Sequence, residues 1–301
     1  MAGDIQALRA DPERPFGVNL FAPSGGLADA GLVAEYAAHL GDEAERYGVA
    51  LGDPRHDDDH FAAKLRVIAR ERVPVASFTF GCPSPDTVAT LQAGDTSVWV
   101  TVTSVAEAEM ALAAGADALV AQGTEAGGHR GFFADDDGRE DLGLLVLLRL
   151  LSRLGTPLIA AGGIMDGAAI AAVLCAGAVA AQLGTALMLT PEAGTSAPQR
   201  EALATPGPTR LTRAFSGRTA RGLVNRFMDA HGEQAPHAYP EIHHLTTPVR
   251  AAARESGDAG AINLWAGQGH ELARAQPAGE LVRELAGEAR AVLRARADHF
   301  G

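Results

Sequence analysis

Short apolar runs alternate with alanine-rich helical segments through about the first two thirds of the chain. Apolar runs of roughly four to eight residues, bounded by glycine or polar residues, are typical of buried strands. Six runs predict strands, at residues 16–21, 73–80, 97–103, 118–122, 158–162 and 179–185. Six helices are predicted beside them, at residues 27–39, 60–71, 84–93, 104–115, 142–154 and 166–176. This alternation predicts a parallel sheet covered by helices.

The ends of the predicted strands favour a barrel over an open doubly wound sheet. Nearly every strand ends in polar or glycine residues, as at Asn19, Gly162-Gly163 and Gly184-Thr185. A (β/α)8 barrel collects its site from the carboxyl ends of all its strands, whereas an open sheet places it at one switch point. Because the chain also has no GxGxxG fingerprint, a dinucleotide-type Rossmann site is not expected.

The alternation stops after Thr190, where residues rich in Pro, Thr, Arg and His follow. We therefore predict a barrel portion at residues 1–190 and a cap of helices and loops at residues 191–301. A closing amphipathic helix is predicted at residues 279–297. Earlier in the chain, Ser104 followed by Glu107 predicts a capping box at the start of a helix.

Composition narrows the class of protein. The chain has 301 residues, 47% of them hydrophobic, and a formal net charge of −12, which argues against nucleic-acid binding because phosphates require clustered Lys and Arg. The most apolar helical stretch, at 142–154, contains Arg149 and Arg153 and is shorter than the roughly 20 residues of a membrane span. Two distant cysteines, Cys82 and Cys175, and a polar start predict a soluble cytoplasmic protein.

Two strand ends predict phosphate binding. Gly162-Gly163 and Gly184-Thr185 each follow an apolar strand, and glycine there lets backbone N–H groups point at phosphate oxygens. In (β/α)8 barrels this site lies after strands seven and eight. Counting back from these two strands makes residues 16–21 strand three, so we expect a barrel without strands one and two.

The segment at residues 122–131 is the strongest candidate for catalysis. Its sequence, Gln-Gly-Thr-Glu-Ala-Gly-Gly-His-Arg-Gly, places His129 and several glycines directly after a buried strand. The glycines allow the backbone to approach a flat or anionic ligand, and an imidazole titrates near neutrality.

The acidic and histidine-rich run at 53–60 is instead predicted to be an exposed loop, and no metal site is predicted.

Seven segments resemble the nitronate monooxygenases, a family of FMN-dependent barrel enzymes. They follow the family's order over nearly the whole chain, at residues 16–21, 76–81, 98–104, 122–131, 161–164, 182–185 and 216–222. The His129 motif is the most specific of them. The family's opening segment, with its Pro-Met-Ala-Gly stretch and a second glycine-rich strand, has no counterpart here, which agrees with the count of strands.

The resemblance implies a role for each matching residue. His129 matches the histidine that lies beside the flavin, interacts with the substrate and can act as a base on a nitroalkane. Residues that match FMN contacts are Asn19, Gln122, Gly127 and Gly128, and those around the phosphate are Gly162, Gly163, Gln182, Gly184 and Thr185. Gln268 resembles a family motif near the C-terminus. Ser216, Arg218 and Arg221 either steer an anionic substrate or form structural salt bridges.

The implied activity is the oxidation of alkyl nitronates, and of nitroalkanes as a further substrate class, by molecular oxygen to a carbonyl compound and nitrite. A homodimer is compatible with the family resemblance. No partner besides substrate and oxygen is expected. An FMN-dependent enoyl-acyl-carrier-protein reductase shares the Glu-Ala-Gly-Gly-His motif and is the first alternative. The stretch 216–221 favours the nitronate enzymes. The second alternative is a non-catalytic barrel fragment with exposed strand edges.

Overall fold

Six parallel strands form a curled half-barrel sheet in the computed structural model, which describes residues 1–11, 15–23, 25–136 and 140–300. The described strands are β1 (Gly17–Phe21), β2 (Val75–Thr79), β3 (Ser97–Val102), β4 (Ala118–Gln122), β5 (Gly128–His129), β6 (Leu158–Ala161), β7 (Ala180–Gln182), β8 (Thr209–Thr212) and β9 (Ala220–Leu223). The large sheet has the order β1-β2-β3-β4-β6-β7, and each pair is parallel. This is the α/β, TIM-like fold that the alternation predicts.

Helices cover the outer face of this sheet and build the cap. They are α1 (Ala2–Leu8), α2 (Ala30–His39), α3 (Gly41–Tyr47), α4 (Phe61–Glu71), α5 (Pro85–Gln92), α6 (Val105–Ala113), α7 (Leu144–Leu151), α8 (Gly167–Cys175), α9 (Ala197–Leu203), α10 (Arg226–His231), α11 (Glu241–Glu255) and α12 (Ala278–Phe300). Short 3-10 helices lie at Ser152–Leu154, Thr185–Leu187, Ala259–Ala261 and His270–Leu272.

All six predicted strands are confirmed, with ends that differ by about three residues or fewer. The seven predicted helices are confirmed as well, including the closing helix, which is longer than predicted. Within the described residues, no strand pairs with the outer edge of β1 or of β7. The sheet is therefore open at the two strands that the count assigned to positions three and eight.

A second, three-stranded sheet lies outside the sequence prediction. Its order is β5-β9-β8, and both pairs are antiparallel. The prediction treated residues 191–301 as helices and loops, which is wrong for β8 and β9. Their sequences, Thr-Arg-Leu-Thr and Ala-Arg-Gly-Leu, carry too few apolar residues for a strand pattern. β5 has only two residues, too few for any periodicity.

Separate apolar clusters support the sheet and the cap. The cluster beneath the middle of the sheet joins β3, β4 and β6 to helices α6, α7 and α8, with Leu119, Leu147 and Leu148 fully buried. Another cluster, around Phe215 and Phe227, joins the cap to α2 through Val33, Tyr36 and Leu40, and the two phenylalanine rings stack with centroids 4.7 Å apart. The cap is thus packed on α2 and can present residues to the sheet at fixed positions.

Glu107 ties the end of β3 to the segment after the His129 motif. Ser104 Oγ accepts a hydrogen bond from the Glu107 N–H (3.2 Å), as the capping box predicts. The Glu107 carboxylate, however, accepts from the N–H and hydroxyl of Thr103 (both 2.7 Å) and from the N–H of Phe133 (2.9 Å). A buried carboxylate thereby fixes two segments that meet at the carboxyl edge of the sheet.

We predict that Glu107→Ala lowers the free energy of unfolding by about 2–4 kcal/mol, because buried donors lose a charged acceptor. Urea denaturation at neutral pH measures this loss. Glu109→Ala is the matched control, since Glu109 lies on the same helix but is exposed, and it should change stability by about 0.5 kcal/mol or less. Equal effects of the two substitutions would contradict the assigned role of Glu107.

Candidate active site

His129 lies on β5, at the point where the loop after β4 joins the small sheet. β5 pairs with β9, so that Gly128 lies opposite Arg221 and His129 opposite Ala220. Gly128 has a φ of +75°, a conformation that glycine adopts without strain. The turn at Gly128 thus lets His129, in the segment that follows the parallel strand β4, pair with a strand of the cap.

A buried guanidinium holds this loop together. Arg130 is fully buried, and its Nη1 donates to Gln122 Oε1 and to the carbonyl of Gly123, both at 2.6 Å. Gln122 Oε1 also accepts from the N–H of Gly131 (2.8 Å), and its Nε2 donates to the carbonyl of His129 (3.1 Å). The backbone that follows His129 is therefore bonded to the end of β4, through the His129 carbonyl and the N–H of Gly131.

Further contacts fix the first half of the loop. Both carboxylate oxygens of Glu125 accept from the N–H of Leu144 (3.0 Å), which starts α7. Arg221 Nε donates to the carbonyl of Thr124 (2.9 Å), and the N–H of Gln268 donates to the carbonyl of Glu125 (3.0 Å). β9 and the segment before the last helix thus restrain the same turn.

Among the residues that the structure describes, the imidazole of His129 has one hydrogen-bond partner and three aromatic neighbours. Its Nε2 lies 2.8 Å from Ser216 Oγ, which is also within reach of the carbonyl (3.2 Å) and the N–H (3.4 Å) of Arg218. Ring centroids of Phe80, Tyr239 and Trp265 lie 5.8, 5.7 and 5.4 Å from that of His129. Nδ1 has no hydrogen-bond partner among the described residues, so it is the nitrogen left for a ligand.

The surroundings of His129 favour its neutral form. Burial, followed by the charge of Arg218 and by His243 and Arg250, lowers the pKa of His129 to about 3. Burial and Arg250 also lower the pKa of His243 to about 4. Arg218 lies over the ring of Phe80, with its Cζ 4.0 Å from the ring centroid. A neutral imidazole beside buried cations suits an anionic ligand.

A cleft with about 540 Å³ of empty space opens at the carboxyl ends of β4, β6 and β7. The described residues that line it are Gln122, Ala126, Gly127, Ala161, Gly162, Gly163, Ile164, Met165, Gln182, Leu183, Gly184, Thr185 and Gly267. Seven of these thirteen are glycine or alanine, and none is charged. A ligand in this cleft therefore meets mainly backbone.

Unused backbone donors line this cleft. The N–H groups of Gly162, Gly163, Gly184 and Thr185 donate to no acceptor within the part of the chain that the structure describes. Gly162 and Gly163 have φ values of +111° and +67°, and a Cβ on Gly163 would lie 2.9 Å from Glu125 Cβ. Several N–H groups without partners at neighbouring strand ends form the kind of site that binds phosphate.

The structure brings most of the predicted cofactor residues together. The seven that line the cleft are Gln122, Gly127, Gly162, Gly163, Gln182, Gly184 and Thr185. Gly128 and Asn19 do not line it. Asn19 lies on the edge strand β1, where its Oδ1 accepts from Ser77 Oγ (2.9 Å) and Thr79 Oγ1 (3.0 Å). Gln268 is exposed, and its neighbour Gly267 reaches the cleft.

Sequence reasoning missed most of the groups around His129. No pattern in the sequence singles out Phe80, Tyr239 or Trp265, and Ser216 stands out only as part of the 216–222 motif. Phe80 is buried and has a φ of +74°, a left-handed conformation that strains a bulky residue and is common at functional sites. Arg221 donates a hydrogen bond to the carbonyl of Thr124, a structural contact of a different kind from the salt bridge that was one of its two alternatives.

The remaining sequence candidates lie away from this site. In the 53–60 segment, His56 pairs with Glu241 (3.1 Å) and Asp57 with His244 (2.7 Å). Among the described residues, no group of three or more His, Cys, Asp or Glu side chains is arranged to hold a metal. No described helix combines the length and apolar character needed to cross a bilayer.

Comparison with known proteins relates this geometry to one family. Residues 1–288 match the family model for nitronate monooxygenase. A nitronate monooxygenase of Pseudomonas aeruginosa is 42% identical over 304 residues, covering 95% of this chain and 84% of that protein. The structure of nitroalkane oxidase from Streptomyces ansochromogenes has a TM-score of 0.94 and 49% identity, covering 99% of this chain and 86% of that one. FabK from Thermotoga maritima is more distant, with a TM-score of 0.72 and 25% identity over 99% of this chain and 83% of that one.

We predict that stability falls as the pH is lowered from about 6.5, because the unfolded chain protonates His129 while the folded protein does not until about pH 3. In that window the unfolded state binds more protons, so the free energy of unfolding rises with pH. One such histidine contributes at most about 1.4 kcal/mol per pH unit. Urea denaturation at pH 7 and pH 5 measures the slope.

The variant His129→Gln should reduce the difference in stability between pH 7 and pH 5 by about 2 kcal/mol. His60→Asn is the control, because it removes an exposed histidine from a left-handed position that asparagine tolerates. A slope that is unchanged in His129→Gln would show that His129 is not held neutral in the folded protein.

Proposed function

The chain belongs to the nitronate monooxygenase family, and we propose that it uses FMN to oxidise alkyl nitronates with molecular oxygen to a carbonyl compound and nitrite. The observation that carries this proposal is the arrangement of His129. It is held between buried cations and aromatic rings, next to a cleft lined by backbone N–H groups. The cations favour an anionic substrate, and the cleft suits a phosphate-bearing cofactor.

The residues of the cleft fit the phosphate end of FMN. Its four unpartnered N–H groups, counted within the described chain, offer hydrogen bonds to phosphate oxygens, and its uncharged walls leave this task to the backbone. We assign Gly162, Gly163, Gly184 and Thr185 to the phosphate. Further cofactor contacts are assigned to Asn19, Gln122, Gly127, Gly128 and Gln182. FMN, when bound, supplies the electron transfer and oxygen chemistry.

The residues around His129 bind and orient the substrate. Ser216 holds Nε2, so the plane of the imidazole is fixed and Nδ1 faces the ligand. In the tautomer with Nδ1 protonated, Nε2 accepts from the Ser216 hydroxyl and Nδ1 donates a hydrogen bond to a nitronate oxygen. Arg218 adds positive potential beside it, and the rings of Phe80, Tyr239 and Trp265 exclude water.

The enoyl reductase alternative is not favoured, because FabK is much less similar to this chain than the nitroalkane oxidase is.

We propose that residues 1–190 form the FMN-binding portion and that residues 191–301 act as its cap. Two free cysteines agree with a cytoplasmic location. For a homodimer, we point to the exposed aliphatic side chains of Leu145 and Val146 on α7 as a surface that a second copy could cover.

We predict that Gly163→Ala weakens FMN binding by about tenfold or more, because its φ of +67° and the nearby Glu125 Cβ force the loop to shift. Quenching of FMN fluorescence on titration with flavin-free protein measures the dissociation constant. Gly155→Ala is a matched control: Gly155 has a φ of +70° with open space around its Cβ position and does not line the cleft. Equal affinity of both variants and wild type would exclude the glycine cradle as the phosphate site.

We predict that His129→Asn lowers kcat/KM for ethyl nitronate by about 100-fold, because the neutral imidazole is the group that orients the substrate. Oxygen consumption and nitrite formation with FMN-loaded protein measure this activity. FMN affinity should be unchanged within about twofold. If the unchanged protein consumes NADPH with an enoyl thioester but no nitronate, or takes up no flavin, the proposed function is wrong.

A further inference from the structure

The cleft assigned to the FMN phosphate is bordered by residues 267–274, the segment that leads to the last helix. The N–H of Gly267 donates to Thr185 Oγ1 (3.0 Å), and Gly267 itself lines the cleft. A Cβ on Gly269 would lie 2.8 Å from Met165 Cγ, so the backbone of the segment is in close contact with that side chain. The segment therefore packs directly against the turns that follow β6 and β7.

The last helix, α12, lies against the start of α8, the helix that follows the Gly162-Gly163 turn. The N–H of Gly167, in the first turn of α8, donates to Glu288 Oε2 of α12 (3.0 Å). A Cβ on Gly167 would lie 2.2 Å from Glu288 Cβ and 2.6 Å from the backbone N of Ala289. The two helices thus meet backbone against backbone, and α12 fixes the position at which α8 begins.

Two N-terminal N–H groups of α8 are bound by carboxylates of the protein. Asp166 caps the helix, because its Oδ1 accepts from the N–H of Ala169 (2.7 Å). Glu288, which is 121 positions away in sequence, accepts from the N–H of Gly167. Both contacts stabilise the start of the helix, since the N–H groups there carry partial positive charge. The chain that follows the glycine turn is therefore anchored to the far end of the sequence.

Arg274 joins the segment 267–274 to the same carboxylate. Its Nη1 donates to Glu288 Oε1 (2.7 Å) and its Nη2 to Glu288 Oε2 (3.3 Å), which is a bidentate pair. Arg274 and the N–H of Gly167 lower the pKa of Glu288, so the carboxylate is charged at neutral pH. The positive charge of Arg274 also offsets that of the carboxylate, so Glu288 adds little repulsion towards a nearby phosphate.

We propose that Glu288 is a positioning residue for FMN: with Arg274 it forms a clamp that holds α12 and the segment 267–274 against the glycine turns. Gly162 and Gly163 have positive φ values, and glycines adopt many other conformations when nothing restrains them. Contacts from behind restrict that freedom before the ligand binds, and a loop that is already ordered loses less conformational entropy on binding. This inference rests on the proposed function, because it concerns the phosphate site assigned to FMN.

Titration of flavin-free protein with FMN, followed by quenching of flavin fluorescence, tests this role. Glu288→Ala should raise the dissociation constant about tenfold, because only the fraction of molecules with ordered turns binds FMN. Glu288→Gln keeps an oxygen that can accept from the Gly167 N–H and should stay within about threefold of the unchanged protein. Arg274→Met breaks the clamp from its other side and should weaken binding about as much as Glu288→Ala, so the test does not depend on one variant.

Glu284→Ala is the matched control. Glu284 also lies on α12 and also pairs with Arg274 (3.7 Å), but it makes no hydrogen bond to α8 within the described chain. Its loss should change the dissociation constant of FMN by about twofold or less. An equal effect of Glu284→Ala and Glu288→Ala would overturn the proposal. Tighter FMN binding in Glu288→Ala would also overturn it, because the carboxylate would then repel the phosphate instead of ordering the turns.

Hydrogen–deuterium exchange separates positioning from a general loss of stability. FMN should slow amide exchange in α12 of the unchanged protein by about tenfold, and Glu288→Ala should lose this protection although its flavin-free form unfolds within about 3 °C of the unchanged protein. At saturating FMN, kcat for ethyl nitronate should stay within about twofold, because Glu288 lies outside the cleft. Protection of α12 that persists in Glu288→Ala, or a loss of kcat at saturating FMN, would overturn the proposal.

The same titration distinguishes this inference from the proposed function. If the unchanged protein binds no FMN, the proposed function fails and the role of Glu288 fails with it. If the unchanged protein binds FMN and Glu288→Ala binds it equally well, the inference alone is overturned and the proposed function stands.

Discussion

The buried guanidinium of Arg130 is the interaction on which the site depends. A charged group without solvent is stable only if it is paired and hydrogen-bonded, and Arg130 is bonded to Gln122 and the carbonyl of Gly123 and forms an ion pair with Asp141 at 3.5 Å. These partners lie at the end of β4 and just before α7. Gly131, the residue after Arg130, is fixed as well, because it donates to the same Gln122 oxygen. The chain between Gln122 and Gly131 consequently has little freedom, and His129 lies within it.

The parallel sheet and the cap contribute different groups to the site that Arg130 holds in place. The parallel sheet supplies strand ends that line one cleft, which is the usual contribution of parallel strands to ligand binding. The cap supplies Ser216, Tyr239 and Trp265, which surround the imidazole of His129. The small antiparallel sheet joins the two parts, since β5 follows the parallel strand β4 and β9 belongs to the cap. Loss of the β5–β9 pairing would separate the histidine from its serine.

The middle of the parallel sheet could be predicted from sequence because β4 and β6 are continuous apolar runs, and such runs signal burial on both faces. The glycine pairs at 162–163 and 184–185 were recognisable for a similar reason, since their position after a strand already implies free backbone donors. The small sheet could not be predicted. Its strands are short and polar, and they are stabilised by partners far away in the sequence, as Gly128 is by Arg221.

The immediate surroundings of His129 also lay beyond sequence reasoning. Ser216 is 87 residues from the histidine it contacts, and only the folded cap brings them within 2.8 Å. The depressed pKa of His129 has the same origin, because burial and the charge of Arg218 are properties of the assembled site. The left-handed backbone of Phe80 leaves no trace in a sequence, since a phenylalanine at a strand end usually signals only packing. Family resemblance named the histidine, but the structure was needed to explain its environment.

A crystal structure of this protein with FMN tests the central claim most directly. The account predicts phosphate oxygens within hydrogen-bond distance of the N–H groups of Gly163 and Gly184, and a flavin ring that lies beside the imidazole of His129 while Ser216 still holds Nε2. FMN bound elsewhere, or a phosphate held by charged side chains rather than by this backbone, would contradict it.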